Sequence, residues 1–234
     1  MRVLLTLPIR EVRPATARSR IVRIGLEGSP FRYRPGHAVL VATHGYEYRR
    51  PYSIAAAPED ARQDDCLELL IGIDATGHPG VHLALEPGAM VDLEGPLGSF
   101  TFPDSPEEEC FLFVAGGTGI APLRAMLRHA LRLPHRHIGL MYSARTPDDF
   151  AYEEELRGLA ALGLIDLNQA VTRADAAESW TGSRGRIGAP ELQPLLHDQA
   201  TLCFVCGPET LVHEVSGLLT QLGVPTNRIR TEEW

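Results

Sequence analysis

The chain has 234 residues, 44% of them hydrophobic, which is enough for one large domain or two domains of ordinary size. Its net charge of −8 argues against nucleic-acid binding, and no apolar run approaches the roughly 18 residues of a membrane span. The first residues do not form a signal-peptide pattern, so we expect a cytoplasmic protein.

The charges are unevenly distributed, and every one of the 22 basic residues is arginine. Residues 1–50 hold ten arginines and three glutamates, a balance of +7, so the rest of the chain carries −15. This asymmetry favours a basic face for an acidic protein partner or a phosphate-bearing cofactor. Exposed strand charges without a partner are the alternative, and sequence alone does not separate the two.

Two of the four cysteines, Cys203 and Cys206, have the spacing of a redox pair or of half a metal site. The chain has no second cysteine pair with this spacing, and on a strand Cys203 and Cys206 point to opposite faces. We therefore expect neither a disulfide nor a metal ion at this pair.

The first hundred residues predict antiparallel β-structure. Short segments rich in β-branched and apolar residues are separated by Gly and Pro turns, which suggests a barrel or a sandwich. Residues 78–85 predict a short helix. The predicted strands are residues 3–12, 20–26, 37–42, 52–56, 66–73, 90–94 and 100–102.

Residues 103–109, rich in proline and acids, predict a linker, and the pattern changes after it. Strands and helices then alternate, which predicts a parallel sheet with helices on both faces. The predicted strands are residues 110–115, 137–143, 164–172, 201–206 and 228–231. The predicted helices are residues 120–133, 149–162, 190–197 and 209–222, the first with Arg124, Arg128 and Arg132 on one face.

Residues 50–53, Arg-Pro-Tyr-Ser, form the first candidate site. On an extended chain Arg50 and Tyr52 point to one face. Arginine can bind a phosphate, tyrosine can cover a ring face and Ser53 can donate to a ring nitrogen, so the segment suits a flavin. By itself the segment fits Tyr52 as barrel core and Arg50 as a solvated charge better than it fits a flavin site.

Two further motifs lie at predicted strand ends of the α/β half. Residues 116–122, Gly-Gly-Thr-Gly-Ile-Ala-Pro, join a strand to a helix, where free N–H groups and close backbone approach favour a phosphate. Residues 206–208, Cys-Gly-Pro, end a strand at the same sheet edge, where ligands bind in such sheets. A helix start that needs glycine only for geometry, and a buried structural Cys206, are the alternatives.

With these three motifs in this order, the chain resembles the ferredoxin–NADP⁺ reductase family over nearly its whole length. The sequences of residues 33–37 and 95–100 are also similar to two turn motifs of this family. The resemblance implies a Greek-key antiparallel β-barrel that binds FAD, rather than FMN, at residues 1–103. It implies a Rossmann-like NAD(P)-binding α/β domain at residues 107–234, with the flavin between the two.

The resemblance also implies roles for individual residues. Arg50 would hold flavin phosphate, Tyr52 and Trp234 would stack on the two faces of the isoalloxazine, and Ser53 would hydrogen-bond near N5. Catalytic roles fall to Ser53, Cys206 and Glu232. The implied flavin contacts are Arg50, Pro51, Tyr52, Ser53, Ile71, Ile73, Gly80, Val81 and Trp234. The implied nicotinamide-dinucleotide contacts are Gly116, Gly117, Thr118, Gly119, Pro122, Ser143, Arg145, Arg173, Cys206, Gly207 and Pro208.

Several positions depart from the family, among them His37 in place of a usual Gln and Ala89 in place of a usual Asp. The turn on the phosphate side usually carries a Ser or Thr, whereas residues 75–82 have no hydroxyl at the expected place, and the N–H groups of Gly80 and Val81 would have to serve instead. Ser143, Arg145 and Arg173 favour NADPH, while the loop of Trp180, Gly182 and Gly185 resembles that of NADH-using oxygenase reductases.

The expected activity is hydride transfer from NAD(P)H, NADPH favoured, to flavin, followed by release of single electrons to an acidic protein carrier such as ferredoxin or flavodoxin. A free-flavin reductase with the same fold is one alternative. A non-catalytic nucleotide-binding subunit of a larger redox complex is another. No contact with nucleic acid or a membrane is expected.

Overall fold

The structure is a computed structural model, and it describes residues 3–173 and 180–233. The chain divides into two compact units. The first runs to Phe102 and includes Arg124–His129, and the second comprises Pro103–Leu123 and the chain from Ala130 onward. Within the two described ranges, no helix is both long and apolar enough to cross a membrane.

The first unit is built on one antiparallel sheet of six strands in the order β4-β3-β6-β1-β2-β5. An additional bridge from Ile54 to Leu69 joins the two ends of this order, so the sheet is a nearly closed barrel. This confirms the predicted antiparallel barrel. The strands are β1 (Val3–Thr16), β2 (Ser19–Gly25), β3 (Ala38–Thr43), β4 (Arg50–Ser53), β5 (Cys66–Gly72) and β6 (Met90–Leu97).

The barrel is filled by residues two apart along its strands, because successive side chains of a strand point to opposite faces. Each such aliphatic side chain contributes about 1.5–3 kcal/mol when fully buried. The fully buried members include Ile9, Val22, Ile24, Val39, Val41, Leu67, Leu69, Ile71, Val91 and Leu93.

Three local predictions in this unit were wrong. Residues 78–85 are irregular rather than helical, because Pro79 and Gly80, whose φ of +115° is left-handed, cannot continue a helix. A helix, α1 (Pro58–Asp64), forms instead where a turn was predicted, with Pro58 at its start and acids in its first turn. Residues 100–102 form no strand, although Phe100 and Phe102 are buried.

The second unit contains a parallel sheet of six strands in the order β10-β9-β8-β7-β11-β12. Its strands are β7 (Cys110–Gly116), β8 (His137–Ala144), β9 (Asp166–Val171), β10 (Ser183–Arg184), β11 (Leu202–Gly207) and β12 (Ile229–Glu233). The central strands β7 and β11 are buried throughout, as expected of parallel strands covered on both faces. This confirms the predicted α/β architecture.

The remaining helices are α2 (Ile120–Ala130), α3 (Glu153–Ala161), α4 (Ala189–Leu192) and α5 (Glu209–Gln221). All four are shorter than predicted, α5 by one residue and the other three by at least three. Pro134 follows α2 closely, Tyr152 takes a left-handed φ of +61° before α3, and residues 193–195 tighten into a 3₁₀ turn after α4.

The arginine side of α2 is partly buried within the first unit. Arg124 forms a salt bridge with Glu68 at 3.0 Å and donates to the carbonyl of Ala55 at 2.8 Å. Arg128 pairs with Asp60. Arg124 and Glu68 are each only 8% exposed, so each charge depends on the other for compensation.

Candidate functional site

The short strand β4 presents Tyr52 at the edge of the barrel core. Pairing with β3 places Tyr52 opposite Val39 and Ser53 opposite Ala38. The half-buried Tyr52 ring packs against the barrel core, which agrees with the alternative that Tyr52 is a core residue. Its hydroxyl also has a polar partner, because it lies 2.7 Å from His82 Nε2. Burial raises the pKa of Tyr52 to about 12, so the hydroxyl keeps its proton.

Arg50 and Tyr52 both lie close to the turn at Gly80 and His82, because alternate residues of a strand point to the same face. A Cβ built on Gly80 would lie 3.2 Å from His82 Nδ1 and 3.9 Å from Arg50 Nη1. His82 is 2% exposed, and its Nδ1 has no hydrogen-bond partner among the described residues. A cationic group and a buried ring nitrogen without a partner, beside a glycine turn, fit an anionic group such as a flavin phosphate.

A cleft of about 600 Å³ adjoins this turn in the first unit. Gly80 and Val81 line it together with Tyr46, and the two larger side chains are exposed, Val81 by 89% and Tyr46 by 39%. Apolar side chains exposed at a concave surface are typical of ligand sites. The cleft is large enough for part of a dinucleotide such as FAD.

The other predicted flavin contacts differ in how accessible their side chains are to a ligand. Ser53 is half-buried at the end of β4 and Pro51 is exposed. Ile71 is fully buried in the barrel core, so its side chain is not presented to a ligand, while Ile73 is half-buried just after β5. Trp234 lies outside the described residues, and its stacking role stays a prediction.

In the second unit the glycine motif and the Cys-Gly-Pro motif are packed backbone to backbone. A Cβ on Gly207 would lie 3.2 Å from the Cα and N of Gly116, and one on Gly119 would lie 2.3 Å from the carbonyl oxygen of Cys206. A side chain at Gly119 would collide with the backbone of Cys206, and one at Gly207 would require the backbone of Gly116 to shift by a few tenths of an ångström. The structure thus places together two motifs that are separated by about ninety residues of sequence.

A cleft of about 240 Å³ lies at the carboxyl ends of these strands. Five predicted contacts line it: Gly116, Gly117, Ser143, Arg145 and Pro208. Thr118 is half-buried in the adjoining turn, and Pro122 is buried in the first turn of α2. Ligands of open α/β sheets bind at this edge, so the position fits a nucleotide.

Arg173 does not line this cleft among the described residues; its backbone N–H donates to the carbonyl of Arg145. Thr172 and Arg186 line it instead, and Arg186 forms an ion pair with Glu214 of α5. The sequence carried a weak signal for Arg186, since it directly follows the glycine loop of residues 182–185. That loop is held by Trp180, whose ring stacks on Phe150 at a centroid distance of 5.4 Å.

Tyr142 is a supporting residue that the motifs did not predict. Its buried hydroxyl donates to the carbonyl of Gly117 at 3.0 Å and accepts from the N–H of Ala151. Burial raises the pKa of Tyr142, so this hydroxyl remains a donor. The bond fixes the turn of residues 117–119 that precedes α2.

Cys206 and Glu232 face each other at the ends of β11 and β12, with Sγ 3.9 Å from Oε2. Burial raises the pKa of both groups, that of Glu232 to about 7. All four cysteines are free and buried, Cys206 among them, so its thiol is protonated at neutral pH.

Comparisons with known proteins agree with this architecture. Residues 113–217 match the family described as Oxidoreductase NAD-binding domain. Ferredoxin–NADP reductase B of Sorangium cellulosum is 36% identical over 219 residues, which cover 89% of this chain and 88% of that protein. Oxidoreductase NAD-binding domain-containing protein 1 of Danio rerio is 28% identical, covering 91% of this chain and 85% of that protein.

Solved structures show the same fold. The ferredoxin reductase of carbazole 1,9a-dioxygenase superposes with a TM-score of 0.83 at 24% identity, covering 99% of this chain and 69% of that chain. A ferredoxin NADP⁺ reductase from Neisseria gonorrhoeae gives 0.80 at 18% identity, covering 98% of each chain.

Proposed function

We propose a specific reaction for this chain, which belongs to the ferredoxin–NADP⁺ reductase family and is a flavin-dependent NAD(P)H oxidoreductase. The family uses FAD with NADPH or NADH. The proposed reaction takes a hydride from NADPH and passes single electrons to a small protein carrier. The observation that carries this proposal is the glycine-lined cleft at the sheet edge of the second unit, with Arg145 and Arg186 on its wall.

The first unit supplies the flavin site in this proposal. Arg50 and the turn at Gly80 bind phosphate, Tyr52 covers one ring face, and Ser53 donates toward the ring nitrogen that accepts the hydride. The flavin supplies the redox chemistry when bound, and these residues orient it and limit the access of water. The exposed apolar side chains of Tyr46 and Val81 supply contact area for the rest of the cofactor.

The second unit supplies the nucleotide site. Pyrophosphate binds over Gly116 and Gly117, where the turn leads into α2 and backbone N–H groups are available. Cys206 lies at the end of β11, beside the proposed position of the nicotinamide. Its protonated thiol is a compact, weakly polar contact.

NADPH is favoured over NADH because two guanidinium groups line the cleft after β8 and β10. Arg145 is exposed there, directly after Ala144. A 2′-phosphate in this position would receive charge-assisted hydrogen bonds that NADH cannot accept. Steady-state rates with both cofactors test this preference, and equal values of kcat/KM would contradict it.

The proposed electron acceptor is an acidic one-electron carrier such as ferredoxin or flavodoxin. Support comes from the arginine-rich first fifty residues, although at least four of those arginines pair with acids of the same unit: Arg10, Arg13, Arg23 and Arg49. The usable basic surface is therefore smaller than the sequence suggests. Rates with candidate carriers should fall as salt rises, and rates insensitive to ionic strength would exclude this docking.

A free-flavin reductase is the second candidate, favoured by the missing hydroxyl near Gly80. Such an enzyme would bind flavin weakly and release it reduced. FAD that stays with the protein through a desalting column would exclude it, whereas a protein that loses its flavin and reduces added FMN or riboflavin would support it.

A further inference from the structure

His82 is a buried residue whose two ring nitrogens are in different situations. Nε2 lies 2.7 Å from the Tyr52 hydroxyl, while Nδ1 is buried and has no partner among the described residues. Burial, together with the charge of Arg50, lowers the pKa of His82, so the ring is neutral at pH 7. The protonated Tyr52 hydroxyl can act as donor or acceptor toward Nε2, and when it donates, the single ring proton of His82 is on Nδ1.

The Nδ1–H group faces Gly80, on the same side as a cation. The Cβ position of Gly80 is 3.2 Å from Nδ1, 3.5 Å from Cε1 and 3.9 Å from Arg50 Nη1. Buried N–H groups almost always have an acceptor in a folded protein. An unpaired donor next to a guanidinium group calls for an anionic acceptor rather than a neutral one.

We propose that His82 is a phosphate-binding residue of the flavin site, acting through Nδ1–H in place of the hydroxyl that the turn lacks. This inference rests on the proposed function of the first unit. Arg50 supplies the charge, His82 a directed donor, and Tyr52 fixes the tautomer. Tyr52 is thus a positioning residue for His82 in addition to its role at the ring.

Ligand access requires the turn of residues 77–80 to shift, since Nδ1 is covered. Gly77 and Gly80 both have positive φ, at +86° and +115°. Asp74 holds residues 76–78 by accepting from the N–H groups of Thr76 and His78, so the shift falls on residues 79 and 80. The adjoining cleft gives the turn room to move. The phosphate therefore enters between Gly80 and the imidazole.

Two conservative variants separate the ring nitrogens. In His82→Gln the amide nitrogen falls near the position of Nε2 and can still pair with Tyr52. In His82→Asn it falls near the position of Nδ1 and keeps a donor toward Gly80. The probes are FMN and riboflavin, which differ only in the phosphate, and the readout is the dissociation constant of each with the flavin-free full chain.

We expect the preference of the parent for FMN over riboflavin to fall about tenfold in His82→Gln, the effect of losing a hydrogen bond to a charged group. In His82→Asn it should stay within about twofold. Tyr52→Phe keeps the ring but removes the hydroxyl that fixes the tautomer of His82, so it should lower the preference for FMN while leaving riboflavin binding nearly unchanged. Arg50→Gln should lower the preference as His82→Gln does. A preference unchanged in His82→Gln, or lowered equally in both His82 variants, would overturn the proposal.

The tautomer of His82 can be measured by NMR spectroscopy without enzymatic turnover. With ¹⁵N-labelled histidine, the His82 signal, assigned by its absence in His82→Gln, should show a proton on Nδ1, and the Nδ1 signal should shift more on adding FMN than on adding riboflavin. A proton on Nε2 would contradict the proposal. If the parent binds no flavin, the proposed function itself fails; if it binds flavins but the variants do not discriminate, only the role of His82 fails.

Discussion

Cys206 Sγ and Glu232 Oε2 lie 3.9 Å apart on paired positions of the parallel strands β11 and β12. Burial raises the pKa of both groups, so at neutral pH the thiol is the donor and Glu232 is partly protonated. A carboxyl group that titrates near pH 7 beside a predicted hydride-transfer site is a candidate for proton handling. It also makes the stability of the fold depend on pH.

Glu232→Gln should change stability only where the native carboxyl group is forced to ionise. The pKa of Glu232 rises from 4.5 to about 7 on folding, so folding favours the protonated form. Its contribution to stability is complete below pH 4.5 and is lost as pH rises through 7. Above pH 7 the variant should be more stable by roughly 1 kcal/mol, allowing for screening at a partly exposed group, or about 2–4 °C in thermal unfolding.

The matched control is Glu233→Gln, at the exposed neighbouring position. It should change the free energy of unfolding by less than about 0.5 kcal/mol at pH 5 and at pH 8. A Glu232→Gln variant whose melting temperature differs from that of the parent by the same amount at both pH values would show that Glu232 does not titrate in this range.

Ser53→Ala should slow flavin reduction without loss of flavin. Ser53 is half-buried at the end of β4, and its proposed hydrogen bond is to the ring rather than to phosphate. Losing one such bond should lower the rate of reduction by NADPH about five- to tenfold in stopped-flow measurements. Ser99→Ala, at an exposed position, serves as control. Equal reduction rates in Ser53→Ala and the parent would refute the role.

Gly207→Ala should destabilise the second unit and weaken dinucleotide binding. The added methyl group would lie 3.2 Å from the backbone of Gly116, which must move, at a cost of roughly 1–3 kcal/mol. Gly217→Ala is the control, since this position in α5 has nothing within 4 Å, and alanine there should stabilise by about 0.5–1 kcal/mol. Urea unfolding measures both, and tolerance of Gly207→Ala would contradict the close packing.

Arg145→Gln should raise KM for NADPH about tenfold or more with little change for NADH, because only NADPH presents a 2′-phosphate. Arg173→Gln is the discriminating control, since Arg173 does not line the cleft in the described part of the chain. Glu214→Gln should lower KM for NADPH by releasing Arg186 from its ion pair. An Arg173→Gln effect as large as that of Arg145→Gln would place the phosphate elsewhere.

The sequence predicted the architecture well, because both halves follow simple periodicities: alternate burial in the barrel and apolar runs followed by helices in the parallel sheet. It also predicted the motif residues that meet at the cleft, such as Gly116 and Pro208. It missed His82, because a histidine in a turn has no pattern that reveals an unpaired Nδ1. It selected Arg173 over Arg186 because loop conformation, rather than spacing, decides which side chain reaches the cleft.

The most direct test of the account is an anaerobic titration of the purified protein with NADPH, followed by absorbance. We predict a protein that carries FAD, whose flavin absorbance is lost at about one equivalent of NADPH, with NADH less effective. A colourless protein that does not take up FAD, or a bound flavin that neither nicotinamide cofactor reduces, would contradict the account.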